Sequence, residues 1–367
     1  MNKEIKKIYD NLLGEISGGV FKPGDVIPKE VDLAKKFGTN RMNARRAVSA
    51  LAEHNIVVRR KRIGSTVSPH LDYAKLKKLL KEANRSIHVL YSMTPHWIHW
   101  NETSFTALED VVGAKGYSVS YSNIPTGNER SDYKKLLHGI SEAGTSALVI
   151  FPDTEDSDFI CSNSDLLLDF QMPIFMLNRS GQPMLLDMVS FVSADPFGDG
   201  IFVGALLKKN DFRNILMLRE ASGDSFWGDK RYEGLKAGIM RDQSHSIHLS
   251  QVTWCKDNIN EIVETIKQAN GNIVVVGINN EYSAALITLC RQNKLKIPED
   301  YQLITFDDNP LYRSFNLTSM GMPMKEIGDL FGYMICDNSW AKNYKGKISV
   351  KVNSKLIIRE TLSLKIT

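Results

Sequence analysis

Apolar residues recur at spacings of three and four over Ile5, Ile8, Leu12 and Ile16, one face of a first helix that Gly18 and Gly19 end. Pro23-Gly24-Asp25 is turn chemistry, because proline presets one backbone dihedral and glycine accepts the other. A second helix starts near Pro28, with Glu30 and Asp32 at its positive end, Leu33, Ala34 and Phe37 facing inward, and Gly38 as its stop. Asn40 suits the N-cap of a third helix whose apolar face is Ala44, Val48 and Leu51. Two β-prone runs, Ile56-Val57-Val58 and Ser65-Thr66-Val67, then flank the basic segment Arg59-Arg60-Lys61-Arg62-Ile63-Gly64.

From His70 to Arg85 the chain is rich in lysine, with Tyr73, Leu76, Leu79 and Leu80 spaced for one helical face. This connector is either a helix docked on the following domain or a tether. Beyond it, apolar runs alternate with amphipathic stretches. Strands are expected over 87–91, 117–121, 147–151, 173–177, 214–218 and 271–276, with helices over 103–115 and 132–143 and further helices between. Strand-helix alternation of this kind gives parallel sheets covered on both faces, which bind ligands where strand ends face each other.

Charge separates these regions. Residues 1–85 hold 19 lysines and arginines against nine acidic residues, a net +10, whereas residues 86–367 hold 27 against 33, a net −6. A basic head on a mildly acidic body fits a protein whose head alone meets phosphate. The head pattern is that of a winged helix-turn-helix, which sets its third helix in a DNA major groove and its hairpin beside it. Arg41, Asn43, Arg45 and Arg46 lie largely off that helix's apolar face, and arginine and asparagine can read guanine and adenine or hold phosphate. The expected DNA-binding set is therefore Lys29, Asn40, Arg41, Asn43, Arg45, Arg46, Arg59, Arg60, Lys61, Arg62 and Gly64. Within it, Arg59 and Lys61 are assigned to phosphate and Arg62 to a groove.

Cys161, Cys255, Cys290 and Cys336 are widely spaced, which fits neither a zinc cluster nor a disulfide framework and suits small apolar residues in a reducing compartment. The start Met1-Asn2-Lys3-Glu4 has no long apolar run, and no stretch reaches the ~20 apolar residues of a membrane span. A cytoplasmic location is expected, with no membrane partner. His96 and His99 have no carboxylate or cysteine ligand near them, so neither a metal nor a cofactor is expected.

Two family resemblances follow from quoted motifs. Residues 3–68 resemble the DNA-binding domain of the GntR family. Pro23, Gly24, Asp25, Pro28, Glu30, Leu33 and Ala34 match its P-G-D-x-L-P-S-E-x-x-L-A pattern, with Ile27 and Lys29 as departures. Arg41 and Arg45 match V-S-R-x-T-V-R, while Thr39, Asn40, Asn43 and Ala44 replace the rest. The wing's usual G-x-G-T becomes Arg62-Ile63-Gly64-Ser65-Thr66. Residues 86–362 resemble the effector domain of the LacI/GalR family. The carriers are Val192-Ser193-Ala194-Asp195, Arg231-Tyr232-Glu233-Gly234, Gly277-Ile278-Asn279-Asn280, Ile304-Thr305-Phe306-Asp307-Asp308, Leu317-Thr318-Ser319-Met320 with Pro323, and Arg359-Glu360-Thr361-Leu362.

The implied fold is α/β: an N-terminal winged helix-turn-helix (1–69), a linker (70–85) and a two-lobed periplasmic-binding-protein-like domain with parallel sheets (86–367). The LacI/GalR resemblance implies a polar-ligand pocket in which Arg231 and Asp307 hold ligand hydroxyls. Asn178 and Asn280 stand where aspartate is common, which makes the pocket less acidic. Phe191, Trp100 and Trp254 are aromatic candidates, with Thr94 near the first strand, Met324 on the floor and Trp227 as a cover. Alternatives remain: Arg231 paired structurally with a carboxylate, Trp254 as a surface or core residue, and one of Asp307 and Asp308 capping or hinging the chain. Trp97, His99 and Trp100 are placed in the loop after the first strand.

The implied activity is that of a ligand-responsive transcriptional regulator, a repressor, with double-stranded operator DNA, a carbohydrate effector and a second copy of the chain as partners. GntR heads on such bodies occur in pentose-responsive repressors, which points toward pentoses. An α/β sugar- or nucleotide-processing enzyme with a regulatory head is the alternative, but no G-x-x-x-x-G-K-[ST], G-x-G-x-x-G or G-x-S-x-G motif is present. A transport-type binding protein fits poorly with the basic head.

Overall fold

The computed structural model describes residues 3–60, 63–83, 85–93, 95–168, 170, 172–177, 189–220, 226–240, 246–255, 258–337 and 348–365, with residues 3, 77, 81–83 and 95–100 described by backbone alone. The chain divides into two units, one of residues 1–88, 116–120 and 135–147, the other of residues 89–115, 121–134 and 148–367.

The head comprises α1 (Lys3–Ser17), α2 (Glu30–Lys36), α3 (Arg41–Glu53), β1 (Val57–Arg60), β2 (Gly64–Val67) and α4 (Tyr73–Ala83). The apolar faces read from the sequence converge on one core: Ile5, Ile8, Leu12 and Ile16 of α1, Leu33 and Ala34 of α2, and Ala44, Val48 and Leu51 of α3. Gly38, at φ +63°, adopts the left-handed conformation that ends α2. The Asn40 side chain accepts the Asn43 N–H at 2.9 Å, capping α3. β1 and β2 form an antiparallel hairpin, Val57 opposite Val67 and Arg60 opposite Gly64. The connector differs from expectation. It is a helix, α4, and it packs on the head, burying Leu76 and Leu79 in the head's own core with Leu80 against it. An apolar stripe must find an apolar partner, and α1 supplies one.

Next come β3 (Ser86–Tyr91), α5 (Pro95–Gly113), β4 (Ser118–Asn123), α6 (Tyr133–Glu142), β5 (Ala147–Phe151), α7 (Thr154–Ser162), β6 (Ile174–Leu177) and β7 (Ser190–Ala194). They are followed by α8 (Pro196–Lys209), β8 (Asn214–Arg219), α9 (Phe226–Met240), β9 (His248–Thr253), α10 (Ile259–Ala269), β10 (Val274–Gly277), α11 (Asn280–Gln292), β11 (Gln302–Asp307) and β12 (Thr318–Gly321). The chain closes with α12 (Met324–Cys336), β13 (Ser349–Val352) and β14 (Lys355–Ile357). α5 begins earlier than expected, so positions 97, 99 and 100 lie in a helix rather than a loop.

Among the described residues these strands form two six-stranded sheets, ordered β13-β7-β6-β5-β3-β4 and β14-β12-β11-β10-β8-β9. The second sheet is parallel from β9 to β12, with β14 antiparallel at its edge. The chain passes from one sheet to the other after β7, after β12 and after β13. Side chains alternate across the second sheet. Ile215, Met217, Val274, Val276, Ile304 and Phe306 pack toward α8 and α9, whereas Leu216, Leu218, Val275 and Leu303 pack toward α10 and α11.

Glycines set the closest helix contacts. A Cβ on Gly200 or Gly204 would collide with the carbonyls of Arg231 and Leu235, and one on Gly234 or Gly238 with those of Phe197 and Ile201. Glycines four residues apart on both helices let the α8 and α9 backbones touch, which fixes the position of α9 and of Arg231 upon it. α12 meets α5 similarly: Gly328 lies against the Ser104 carbonyl, and the Ser104 hydroxyl donates to Met324 O at 2.7 Å. Among the described residues, no helix is long and apolar enough to cross a membrane.

Candidate nucleic-acid interface and effector site

On the head, Lys29, Arg41, Arg45, Arg46 and Arg60 are exposed. Arg41 is held loosely by Glu30, Nε to Oε2 at 3.6 Å. Arg45, Arg46 and Arg60 have no ion pair among the described residues, so their charge is available to a polyanion. Gly64, at φ +113°, opens the wing's second strand where a side chain would be strained. Lys61 and Arg62 lie outside the described residues.

Two expected DNA contacts are engaged within the head, Asn43 in its interior and Arg59 at its surface. Asn43 is buried, and its amide donates to Glu4 at 2.6 Å and to the Thr39 hydroxyl at 2.9 Å. It thus ties α3 to α1 instead of facing solvent. Asn43 flanks the buried stripe, and Glu4 is the acceptor that holds it there. Arg59, expected on phosphate, donates instead to Ser49 Oγ at 2.8 Å and Arg45 O at 3.2 Å, with Glu30 at 3.4 Å. It braces the hairpin against α3. Asn40 uses its side-chain oxygen as the cap, which leaves only its amide for another partner.

In the body the central feature is Arg231. Its Nη2 pairs with Asp307, its Nη1 donates to Ile278 O at 2.7 Å, and its guanidinium lies 4.7 Å from the Phe306 ring and 5.5 Å from the Trp227 ring. The Arg231 and Asp307 side chains are only 5% and 7% exposed, and Arg231 Nε has no partner among the described residues. The carboxylate alternative for Arg231 is therefore realised, with the Nε–H left without an acceptor among the described residues. Asp308 is held by Arg359, Oδ1 to Nη1 at 2.5 Å and Oδ2 to Nη2 at 3.1 Å. Asp307 and Asp308 both take left-handed backbone conformations, φ +94° and +55°, which cost on the order of 1–3 kcal/mol each. Two arginines, one on each carboxylate, hold this turn in place at the end of β11.

The other expected pocket residues are dispersed. Asn280 is buried, its Oδ1 accepting the Asn309 N–H at 2.6 Å, so it fastens the loop after β11 and its acceptor is occupied. Phe191 is fully buried inside β7, between its neighbouring strands. Trp254 packs edge-on against Tyr282 at 6.3 Å beside the α10–α11 core. Met324 starts α12 and is buried. Thr94 and Asn178 lie outside the described residues, as does the Trp100 side chain.

A cleft of about 230 Å³ opens at the ends of β11, β12 and β14, lined by Asp307, Asp308, Arg313, Met322, Met324 and Lys355 among others. It brings Asp307 and Met324 together with groups not singled out from the sequence: Arg313, Lys355, and Thr103 of α5. Asp199 was also missed. It is buried at the start of α8, and Ser354, between β13 and β14, donates to it at 2.6 Å. Burial pushes its carboxyl up to about 6, although the Ser354 hydroxyl and the Arg231 charge pull it down. Only its place beside the aspartate of the Val192–Asp195 motif could have signalled it.

Residues 4–67 match the model of the bacterial regulatory proteins of the gntR family, and residues 204–362 match the periplasmic binding protein-like domain. The chain is 20% identical over 378 residues to the arabinose metabolism transcriptional repressor of Halalkalibacterium halodurans, covering 98% of this chain and 97% of that protein. It is 22% identical over 339 residues to the protein of the same description from Geobacillus stearothermophilus, covering 88% and 87%. A LacI family transcriptional regulator from Enterococcus faecium, solved with bound ribose, superposes with a TM-score of 0.56 at 18% identity, over 77% of this chain and 100% of that one. At that identity the likeness is one of fold.

Proposed function

We propose that this chain, which joins a gntR-family DNA-binding head to a periplasmic-binding-protein-like body, is a transcriptional repressor whose hold on operator DNA answers to a sugar or sugar derivative. Arg41, Arg45, Arg46, Arg60 and Lys29 meet DNA, with Lys61 and Arg62 in the same wing. The effector enters between the strand ends near Arg231 and Asp307. It takes up the Arg231 Nε–H and competes for the Asp307 carboxylate. The protein acts in the cytoplasm as a homodimer, so that closure of each body on its effector changes the separation of the two heads and hence the fit to a two-fold operator. It performs no chemistry on the sugar.

One observation carries the reading: the same chain exposes unpaired arginines on a helix-turn-helix and buries an incompletely bonded arginine at the strand ends of a periplasmic-binding-protein-like body. The names of the two full-length relatives put arabinose first among candidate effectors. Thermal unfolding of the full chain with L-arabinose, D-ribose, D-xylose and common hexoses tests this. A ligand at a hundred times its Kd adds about 2.7 kcal/mol to stability. An unchanged midpoint with every sugar would remove carbohydrates from the reading.

A further inference from the structure

The exposed face of α3 has an apolar residue at its centre. At about 100° per residue, the buried positions Asn43, Ala44, Ala47, Val48 and Leu51 occupy one side of the helix. Met42 points away from the middle of that side, with Arg45 on one flank and Arg46 on the other. The residue is 56% exposed. Ser49 lies on the same ridge seven residues on, where Arg59 covers it. The outermost side chain of the first turn is therefore a thioether between two cations. That turn is where a helix of this class meets base edges.

We propose that Met42 is a specificity-determining residue that reads the C5-methyl group of a thymine in the major groove. This rests on the DNA-binding reading above. Guanidinium and amide groups select guanine and adenine by hydrogen bonds, whereas the mark of thymine in this groove is an apolar methyl, for which a cation has no complement. Methionine is long, unbranched and polarizable, and adapts to such a target without a preformed pocket. Among the described residues no polar partner holds it elsewhere, and neighbouring Arg45 and Arg46 supply the phosphate or guanine contacts that seat it.

The test uses the full-length protein. A duplex is selected from a random-sequence pool, and its affinity is compared with copies in which single thymines are replaced by deoxyuridine, which lacks only the methyl. The wild type is expected to lose about fourfold for the thymine beneath Met42, the worth of one buried methyl. Met42→Ala should bind thymine and uracil copies equally with an unchanged salt dependence, and Met42→Leu should keep the discrimination. Equal binding of every uracil copy by the wild type, or undiminished discrimination by Met42→Ala, overturns the assignment while leaving DNA binding intact. Failure to select any duplex would overturn the DNA-binding reading itself, and this inference with it.

Discussion

On the head, Arg45 and Arg46 stand exposed with no carboxylate paired to them among the described residues, whereas in the body Arg231 and Arg359 each lie against an aspartate. The contrast fits the two kinds of ligand proposed above. DNA arrives with its own dense charge and condensed ions, so an exposed cation is a finished site and gains its partner by releasing those ions. A small polar molecule must be bound away from water, where an unpaired charge is costly, so the body satisfies its charges internally first. The head presents its charge already exposed. In the body, a ligand binding at Arg231 and Asp307 as proposed would exchange for bonds already made.

The contrast can be broken most severely at Asp307. Asp307→Ala removes the ion-pair partner of buried Arg231 and leaves the Ile278 carbonyl as its hydrogen-bond acceptor among the described residues, and should lower stability by about 3–5 kcal/mol in urea unfolding. A loss below 1 kcal/mol would mean that the pair is not a buried structural one. Asp199 sharpens it through pH. An aspartate in an unfolded chain ionises near 4. Asp199, held up to about 6 by burial, therefore binds more protons in the folded state between those values. Its contribution is present at low pH and is lost as pH rises from about 4 through 6. Asp199→Asn keeps an acceptor for Ser354 and should flatten that decline, by on the order of 3 kcal/mol at neutral pH. A wild-type profile identical to that of the variant would contradict it.

The head predicts the reverse signature. Arg45→Ala should cost about 1–3 kcal/mol of specific DNA affinity, measured by fluorescence anisotropy, while unfolding stability and sugar binding stay the same. Altered sugar binding would undermine the assignment of separate sites. Arg59→Ala is the smallest case. Its bonds to Ser49, Arg45 and Glu30 are at the surface, so stability should fall by no more than about 1 kcal/mol and DNA affinity by less than for Arg45→Ala. A larger loss of affinity with a reduced salt slope would return Arg59 to the phosphate contacts.

The same contrast explains what the sequence made legible. The head's three helices, their caps and the exposed arginines all rest on local signals, periods of three to four, Asn40 and Gly38, and these survive into the structure. What escaped were contacts between distant positions. Asn43 looked as exposed as its neighbours because its acceptor, Glu4, lies on another helix. The stripe in α4 announced a buried face but not which core would bury it. In the body, the strand-helix alternation carried the sheets. Arg231 and Asp307, however, are 76 positions apart and share a bond that no local pattern encodes. The burial of Phe191 is illegible for a related reason: an aromatic residue in a strand has the same sequence whether its ring faces a cleft or the core. The paired glycines of α8 and α9 were visible at spacings of four, but their meaning needed both helices together.

The most direct test of the account measures the affinity of the full-length protein for its selected duplex, with and without a saturating amount of the sugar that most raises its unfolding midpoint. Coupling of the usual size would change DNA affinity at least fivefold, and the duplex should change sugar affinity by the same factor. DNA affinity identical with and without bound sugar would contradict the claim that the body controls the head.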